Sequence, residues 1–570
     1  MTADVEETIT QDHETHAELP LASSTPKTQS SHETPPRVAS LAHRYLTTSR
    51  HQAAVGSNVT HIWDMCCGRG ALLHDFLLEI QIGRFASTLQ PQDIAIITQS
   101  GEFSDTNVFQ YDFLNQSDED LPLALLDRMQ PGSKWIFILN PPFDAASSWR
   151  TGVQTTPKST AIRAEMKQHQ LQSASANLTC QFLWRIATLV EKYNLDATVG
   201  VFNNACIWTG AGYDKWRDGW QKQFRFANGF TFHSKVFAGV KGDFPVSFTI
   251  WQSGSEQKPI ELDVIVDGNE TSQEFKKILA PAAAPLSSWV DRPRQYVNSV
   301  PLDGALKVSD NKGAVATRMA PGSLGFAAFA GNDVRNNGVA ALYSSVAGHG
   351  AGWSITKDNF EQSIVCLTAR GVIEPNWISE PDQYSAPNIK HPEYQQFIND
   401  AAIWLIGDTI NHSSSAILEY TNLPYELTNQ FFWLSPRIMG KYPDAPESIL
   451  KQCADAKLPY LVSWLRGREL SADAQGVLNI MRELTLDTMY LRAAAGPIFQ
   501  LMRWDAGWWQ IRRGLLEAHG DYVPPDEIAA RYKVFWKRHR NLEHRLRTMV
   551  YKLGMLPEAL RVVEAAVPAR

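Results

Sequence analysis

Apolar and polar positions change period several times along the first 250 residues. After Thr34-Pro35-Pro36 the apolar Val38, Leu41, Ala42 and Tyr45 recur at helical spacing, and a proline pair just ahead of them suits a helix start. Val59–Trp63 reads as a strand, a glycine-bearing turn follows, and Ala71–Ile80 reads as a helix. Further strands are expected at Ile94–Thr98, at Asn107–Tyr111 and in the apolar run that ends at Asn140. Residues 150–175, with Arg150, Lys158, Arg163 and Lys167, are polar enough to read as a long loop. Leu178–Tyr193 is an amphipathic helix and Ala197–Phe202 a strand. Phe230–Val236 and Val246–Trp251 form a hairpin whose turn runs from Gly239 to Asp243. Strands alternating with helices are the signature of a parallel α/β sheet.

Beyond this region the pattern shifts. After about residue 257 come an Ala/Pro linker near 280–285 and a Gly/Ala/Ser-rich, β-containing stretch to about 355; from about 390 the periodicity is largely helical. The expected organisation is a disordered acidic tail (1–30), an α/β domain (31–257), a mixed α+β region (258–389) and a mostly helical region (390–570).

Charge changes the picture only locally. The chain of 570 residues carries a net charge of −7, but residues 1–34 hold seven acids (Asp4, Glu6, Glu7, Asp12, Glu14, Glu18, Glu33) against Lys27, so −6 of it lies there. The rest is near neutral, and local patches decide what it binds. No apolar run approaches the ~20 residues that span a bilayer, and no signal-peptide core opens the chain, so a cytoplasmic protein is expected. The six cysteines form no zinc-spaced cluster, and His13-Glu14-Thr15-His16 has the wrong spacing for a helical zinc site.

Candidate chemistry begins at Ile138-Leu139-Asn140-Pro141-Pro142-Phe143. Neither proline can continue a ladder, so the strand ends here, and the Asn140 and Pro141 carbonyls are turned away from regular partners. With the Asn140 side-chain oxygen and an exposed ring, the tip suits a flat molecule bearing an amine; Pro-Pro after a strand is also an ordinary loop. The turn Asp64-Met65-Cys66-Cys67-Gly68-Arg69-Gly70 follows the first strand, where α/β sheets bind cofactors. It is no dinucleotide fingerprint, because Leu73 stands where a third glycine belongs, and no Gly-Lys-Ser/Thr phosphate loop occurs.

The glycine turn, then Tyr111-Asp112-Phe113-Leu114, then Asn140-Pro141-Pro142-Phe143 occur in the order seen in S-adenosylmethionine-dependent amino methyltransferases. The chain resembles a gamma-class DNA adenine-N6 methyltransferase over about residues 32–252, with Thr34-Pro35-Pro36 as its amino-terminal cofactor motif and Phe237–Pro245 as its aromatic-bearing hairpin. The resemblance implies a Rossmann-like methyltransferase domain with a mixed, mostly parallel seven-stranded sheet, followed by a mixed, largely helical region that reads the target.

It also implies roles. Thr34, Pro35, Asp64, Cys66, Gly68 and Gly70 would surround the methionine end of S-adenosylmethionine, and Asp112 with Phe113 its adenine. Asn140, Pro141 and Pro142 would grip the target amine, Phe143 would stack on a flipped base, and Phe237 or Phe244, with Lys241 nearby, would meet its other face. The family's ribose-binding carboxylate is expected at the end of the second strand; the position reads Ile97-Thr98-Gln99-Ser100, and Glu102 is the nearest acid. Double-stranded DNA and specificity or defence-system subunits are the implied partners, and a nucleoid-associated restriction-modification role the implied setting. RNA or protein glutamine are alternative substrates, and a non-catalytic nucleic-acid-binding subunit is an alternative class. A cytosine-carbon methyltransferase is excluded because no Pro-Cys occurs.

Two further stretches bear on nucleic acid. Arg531 to Lys552 holds eight basic residues and one acid, Glu543, giving a basic helical face on which Lys537, Arg538 and Arg540 would contact phosphates, or else a solvated amphipathic surface. Trp504, Trp508 and Trp509 are expected in the core. Asp263 with Glu274-Phe275-Lys276 has nuclease-like spacing but reads as a helix start.

Overall fold

Short, covered and mostly apolar runs build the centre of the molecule. In the computed structural model, Thr60–Asp64 (β1) and Lys134–Leu139 (β4) lie side by side and parallel, with every residue of β1 and the last five of β4 buried. Such runs have no polar face because both sides of the sheet are covered. The structure describes residues 33–51, 60–74, 82–142, 159–237, 240, 244–266, 276–282, 284–293, 320, 322–328, 341–344, 352–373, 377–378, 384–408, 417–420, 423–426, 428–494 and 503–557.

Around this pair the sheet grows in both directions. Ile82–Thr88 (β2) and Thr106–Gln110 (β3) extend it on the β1 side, and Asp196–Asn204 (β5) on the β4 side, all parallel. Pro245–Ser253 (β7) runs antiparallel between β5 and Phe224–His233 (β6). Ile260–Ile265 (β8) then pairs parallel with β6, and Lys276–Leu279 (β9) closes the far edge antiparallel to β8. The order is β3-β2-β1-β4-β5-β7-β6-β8-β9. The expected mixed, mostly parallel sheet is present, with nine strands rather than seven: β8 and β9 carry it past residue 257 to Leu279.

Two apolar layers enclose the sheet, and the period of two assigns residues to each. On one face the helix Pro36–His51 (α1) packs Val38, Ala42 and Leu46 on Ile62, Ile136, Ile138 and Phe248. On the other, Leu178–Tyr193 (α4) packs Leu183 and Ile186, and Asp214–Gln223 (α5) packs Trp216 and Trp220, in one cluster with Trp63, Trp135, Phe137 and Leu139. The bounds of α4 are those the sequence predicts, and its signals are in place: Asn177 caps the start by accepting from the Cys180 N–H at 3.1 Å, and Asn194 ends it with φ of 50°.

Several expectations are corrected. Residues 94–98 are not a strand: Pro91–Ser100 is a helix (α2), with proline in its first turn and Gly101 at φ 71° after its end, and the second strand is β2. Within the expected loop 150–175, Ala161–Gln168 (α3) is helical, capped by the Thr160 side chain accepting from the Arg163 N–H at 3.0 Å, and Gln172–Ser175 is a helical turn. Residues 71–74 form turns, and 75–80 lie outside the described residues, as do most of 239–243. Asp263 and Lys276 face each other across β8 and β9 in a cross-strand ion pair of 3.8 Å, so Lys276 begins a strand and not a helix.

A second core spans residues 286–556. It holds the small sheet of Gly325–Ala328 (β10), Ala341–Tyr343 (β11) and Trp353–Ile355 (β12), then Phe360–Gly371 (α6), Tyr394–Asp408 (α7), Glu447–Ala454 (α8), Ala472–Asp487 (α9) and the long Asp526–Lys552 (α10). Trp504 and Trp508 are buried there, as expected, and Trp509 partly so. The second core meets the large sheet where the buried Lys277 of β9 donates to the Ile378 carbonyl and Trp377 packs 5.2 Å from the His233 ring. Among the described residues no helix is long and apolar enough to cross a membrane.

Candidate functional site

β1 is flanked by β2 on one side and β4 on the other, so the chain's outward progress reverses between β1 and β4. At such a switch point the carboxyl ends of the two strands splay and leave a crevice. Asp64 ends β1 and Asn140 follows β4, which places the glycine turn and the Asn-Pro-Pro tip on the same rim.

The two segments touch. Asp64 is buried, and its Oδ1 accepts from the Cys66 N–H at 3.1 Å. Burial pushes the Asp64 carboxyl up to about 7, and the backbone and thiol of Cys66 only partly oppose that. Burial likewise holds the Cys66 thiol well above its ordinary range, helped by the charges of Asp64 and Cys67, while the Asn140 backbone N–H works against it. Cys66 therefore bridges Asp64 to Asn140. The Cys67 N–H donates to the Ser87 carbonyl at 3.0 Å and ties the turn to the end of β2.

The turn's glycines differ. Gly68, at φ 50°, would carry a Cβ into open space, with no heavy atom within 4 Å. Gly70, at φ 88°, would put a Cβ 2.6 Å from the Phe103 ring. Gly68 leaves open space over its backbone; Gly70 serves close packing.

The amino-terminal motif closes over this rim. Asn140 Nδ2 donates to Thr34 Oγ1 at 2.9 Å, and Thr34 is buried. The Pro35 carbonyl accepts from the Val38 and Ala39 N–H groups at 2.9 and 3.0 Å, starting α1 directly behind Thr34. His43 of α1 bonds the Leu72 carbonyl at 2.8 Å, holding the helix to the segment after the glycine turn. Pro141 is buried, Pro142 half-buried, and among the described residues no group donates to the Pro141 carbonyl.

Asp112 lies on the same rim, after β3. Its carboxylate braces its own turn, accepting from the Leu114 N–H at 3.1 Å and Asn115 Nδ2 at 2.8 Å. The Phe113 ring is a core group: it is buried, stacked 5.4 Å from Phe182, with the Arg185 guanidinium 4.9 Å from its centre. Arg185, itself buried, donates to the Phe113 carbonyl and Tyr111 hydroxyl and pairs with Asp118 at 2.9 Å, so this turn is held from beneath.

Other expected site residues fall elsewhere. Glu102 follows the carboxyl end of α2 and not the end of β2, and its carboxylate meets the exposed His74, just beyond the glycine turn, at 3.2 Å. The end of β2 instead presents Thr88 and Gln90, with Thr88 donating to Asp93 at 3.3 Å. These residues were missed because Ile94-Ala95-Ile96-Ile97 looks strand-like, although Pro91 and Gly101 bracket it as a helix should be bracketed. Phe237 is buried 5.7 Å from Phe232 and packs inward, and Phe244 is partly buried against the same cluster. Phe143 and Lys241 lie outside the described residues. Lys537, Arg538 and Arg540 are exposed on α10, in the second core. Among the described residues no cluster of His, Cys, Asp and Glu could hold a metal.

No protein-family model matches the chain, and no curated protein matches it. Solved structures with which it aligns include one described as a modification subunit of a type I restriction enzyme from Vibrio vulnificus, at 12% identity and TM-score 0.27 over 43% of this chain and 49% of that one. A chain from a study of a type I restriction-modification system aligns at 14% identity and TM-score 0.26, over 42% of this chain and 47% of that one. One described as a class I S-adenosylmethionine-dependent methyltransferase from Listeria monocytogenes aligns at 11% identity and TM-score 0.28, over 44% of this chain and 64% of that one. The chain thus matches about half the length of the two type I proteins.

Proposed function

We propose that the chain methylates the exocyclic amine of adenine in DNA, with S-adenosylmethionine as donor. The observation that carries this is the junction at Cys66: Asn140, at the tip of β4 and bonded to Thr34, sits against the glycine-bearing turn after β1, at the switch point of the sheet. The residues of that turn fit the donor's methionine end. Asp64 is a fully buried carboxyl with no basic side chain beside it among the described residues, which suits an arriving ammonium, and the space at Gly68 admits a ligand against the backbone. Thr88 and Gln90, at and just after the end of β2, would hold the ribose.

S-adenosylmethionine supplies an electrophilic methyl on a sulfonium. The protein's part is acceptance and aim. An adenine amine is a poor nucleophile because its lone pair is delocalised into the ring. Two acceptors on its hydrogens favour a pyramidal nitrogen, and holding that nitrogen in line with the methyl replaces a chance encounter by a fixed approach. The base has to leave the duplex to reach the rim. Specificity or defence-system subunits would then bring the site to its sequence.

The test is to incubate purified protein with labelled donor and unmethylated DNA, RNA or protein, and to identify the product by mass spectrometry. N6-methyladenine in DNA is expected; label confined to RNA or to protein glutamine would overturn the substrate assignment. A second reading, a binding subunit without catalysis, is favoured by one observation: β2 itself ends in Ser87 and Thr88, and the first acid after it, Asp93, lies in α2 and is engaged by Thr88 at 3.3 Å. Calorimetry with S-adenosylhomocysteine separates the two, since that subunit would give no binding heat.

A further inference from the structure

The basic run near the carboxyl end divides cleanly once its helix is placed. α10 spans 27 residues and buries Ile528, Tyr532, Phe535, His539, Leu542 and Leu546 along one side. Several of its cations are spent internally: Arg531 pairs with Glu483 at 2.8 Å and with Asp487, Arg547 pairs with Glu543 at 2.9 Å, and Lys552 pairs with Glu393. Arg545 reaches Asp400 at 3.6 Å. The sequence run therefore overstates the free charge.

What remains is ordered. Lys533, Lys537, Arg540 and His544 are all exposed, and among the described residues none of them has an ion-pair partner. At 3.6 residues per turn they fall within about 60° of one another, centred opposite the buried side, and they extend over about 17 Å of helix. No Asp or Glu occurs between Ile528 and Leu542, and Glu543 is occupied by Arg547. Arg538 belongs to the flank instead: its guanidinium lies over Gly476 of α9, with Nη1 2.3 Å from where a Cβ there would be. Three cations with a histidine at the end of their row, held on a rigid helix, backed by a large apolar core and free of intervening acids, complement a phosphate backbone, which carries about one charge per 1.7 Å of duplex axis.

We propose that this ridge of α10, made by Lys533, Lys537, Arg540 and His544, is a sequence-independent contact for the backbone of double-stranded DNA. It names where the substrate of the proposed methyltransferase is held outside the reaction site, and it rests on that reading for its biological sense only. Phosphate contacts of this kind position a duplex without reading it.

The experiment measures binding with no donor present, by fluorescence anisotropy of a labelled duplex titrated with the full chain across a salt series. The triple variant Lys533→Ala, Lys537→Ala, Arg540→Ala is compared with wild type and with a control, Lys441→Ala and Lys457→Ala, which removes exposed cations elsewhere on the second core. Each lost phosphate contact lowers the slope of log affinity against log salt by about 0.9. The triple variant is expected to bind at least tenfold more weakly, with a slope shallower by two to three, unchanged thermal stability and an unchanged slope for the control. An unaltered slope in the triple variant, or equal losses in the control, would overturn the proposal. So would a triple variant that loses single-stranded RNA binding while keeping that of the duplex. Because no methyl transfer is read, failure of the proposed reaction leaves this result standing, and failure of the ridge leaves the reaction untouched.

Discussion

Asn140 Nδ2 donates to Thr34 Oγ1 at 2.9 Å, joining residues 106 positions apart in the chain. The bond makes the amino-terminal motif part of the rim at the end of β4 and turns the Asn140 amide nitrogen toward Thr34, so that Oδ1 is the atom the proposed reaction would offer to a substrate amine. Thr34→Val keeps the shape and removes the acceptor. Losing a buried hydrogen bond costs about 1–3 kcal/mol, so methyl transfer should fall by about tenfold to a hundredfold. Single-turnover rates at saturating donor check this, and an unchanged rate would remove Thr34 from the positioning of Asn140.

Asp64 predicts a pH dependence with a definite sign. Its carboxyl is raised from 3.8 to about 7 in the folded chain, so the folded state binds this proton more tightly than the unfolded state does. Stability from the protonated form is fully present below about 4 and is lost as pH rises to about 7, a penalty of about 4 kcal/mol above that range. Asp64→Asn should therefore match wild type in urea unfolding near pH 4 and exceed it near pH 8. An ammonium beside Asp64 would favour the ionised form, so ligand binding near neutral pH should release a proton. Calorimetry of S-adenosylhomocysteine in buffers of different ionisation enthalpy reads that proton directly.

The two glycines of the turn should separate fold from binding. Gly68→Ala meets only the strain of φ 50°, about 1–2 kcal/mol. If its open space is the donor's, affinity for S-adenosylhomocysteine should fall at least tenfold. Gly70→Ala adds a clash with Phe103 to the strain of φ 88° and should lower the thermal midpoint further. Equal affinity in wild type and Gly68→Ala would place the ligand elsewhere.

How much of this was legible in the sequence depends on whether local signals agreed with tertiary ones. α4 was readable to the residue because its amphipathic period, Asn cap and left-handed terminus all coincide. β4 and the tip after it were readable because a continuous apolar run stops at two prolines. β2 was misplaced because four apolar residues in α2 imitate a strand, and only Pro91 and Gly101 betray the helix. That imitation puts the end of the second strand at Thr98 instead of Thr88, and so draws Glu102 in place of Asp93, the acid bonded to the true strand end. β8 and β9 were invisible as sheet members because their partner, β6, lies earlier in the chain and the linking residues are polar. Phe113 and Phe237 look alike in sequence to rings that stack on ligands; only packing reveals that they fill cores.

Beneath the Asp112 turn, Arg185 is buried with three partners, Phe113, Tyr111 and Asp118. Arg185→Met should destabilise the chain by about 3–5 kcal/mol, because the partners stay buried without their donor. Urea midpoints measure this, and a loss below about 1 kcal/mol would show that the site is a surface pair in effect.

The most direct test of the central claim is Asn140→Ala, measured twice on the same preparation. Calorimetry with S-adenosylhomocysteine should give wild-type affinity, and labelled-donor assays on unmethylated DNA should give no N6-methyladenine. Methylation retained at wild-type level in that variant would contradict the account, because the amine would then be gripped by something other than the tip of β4.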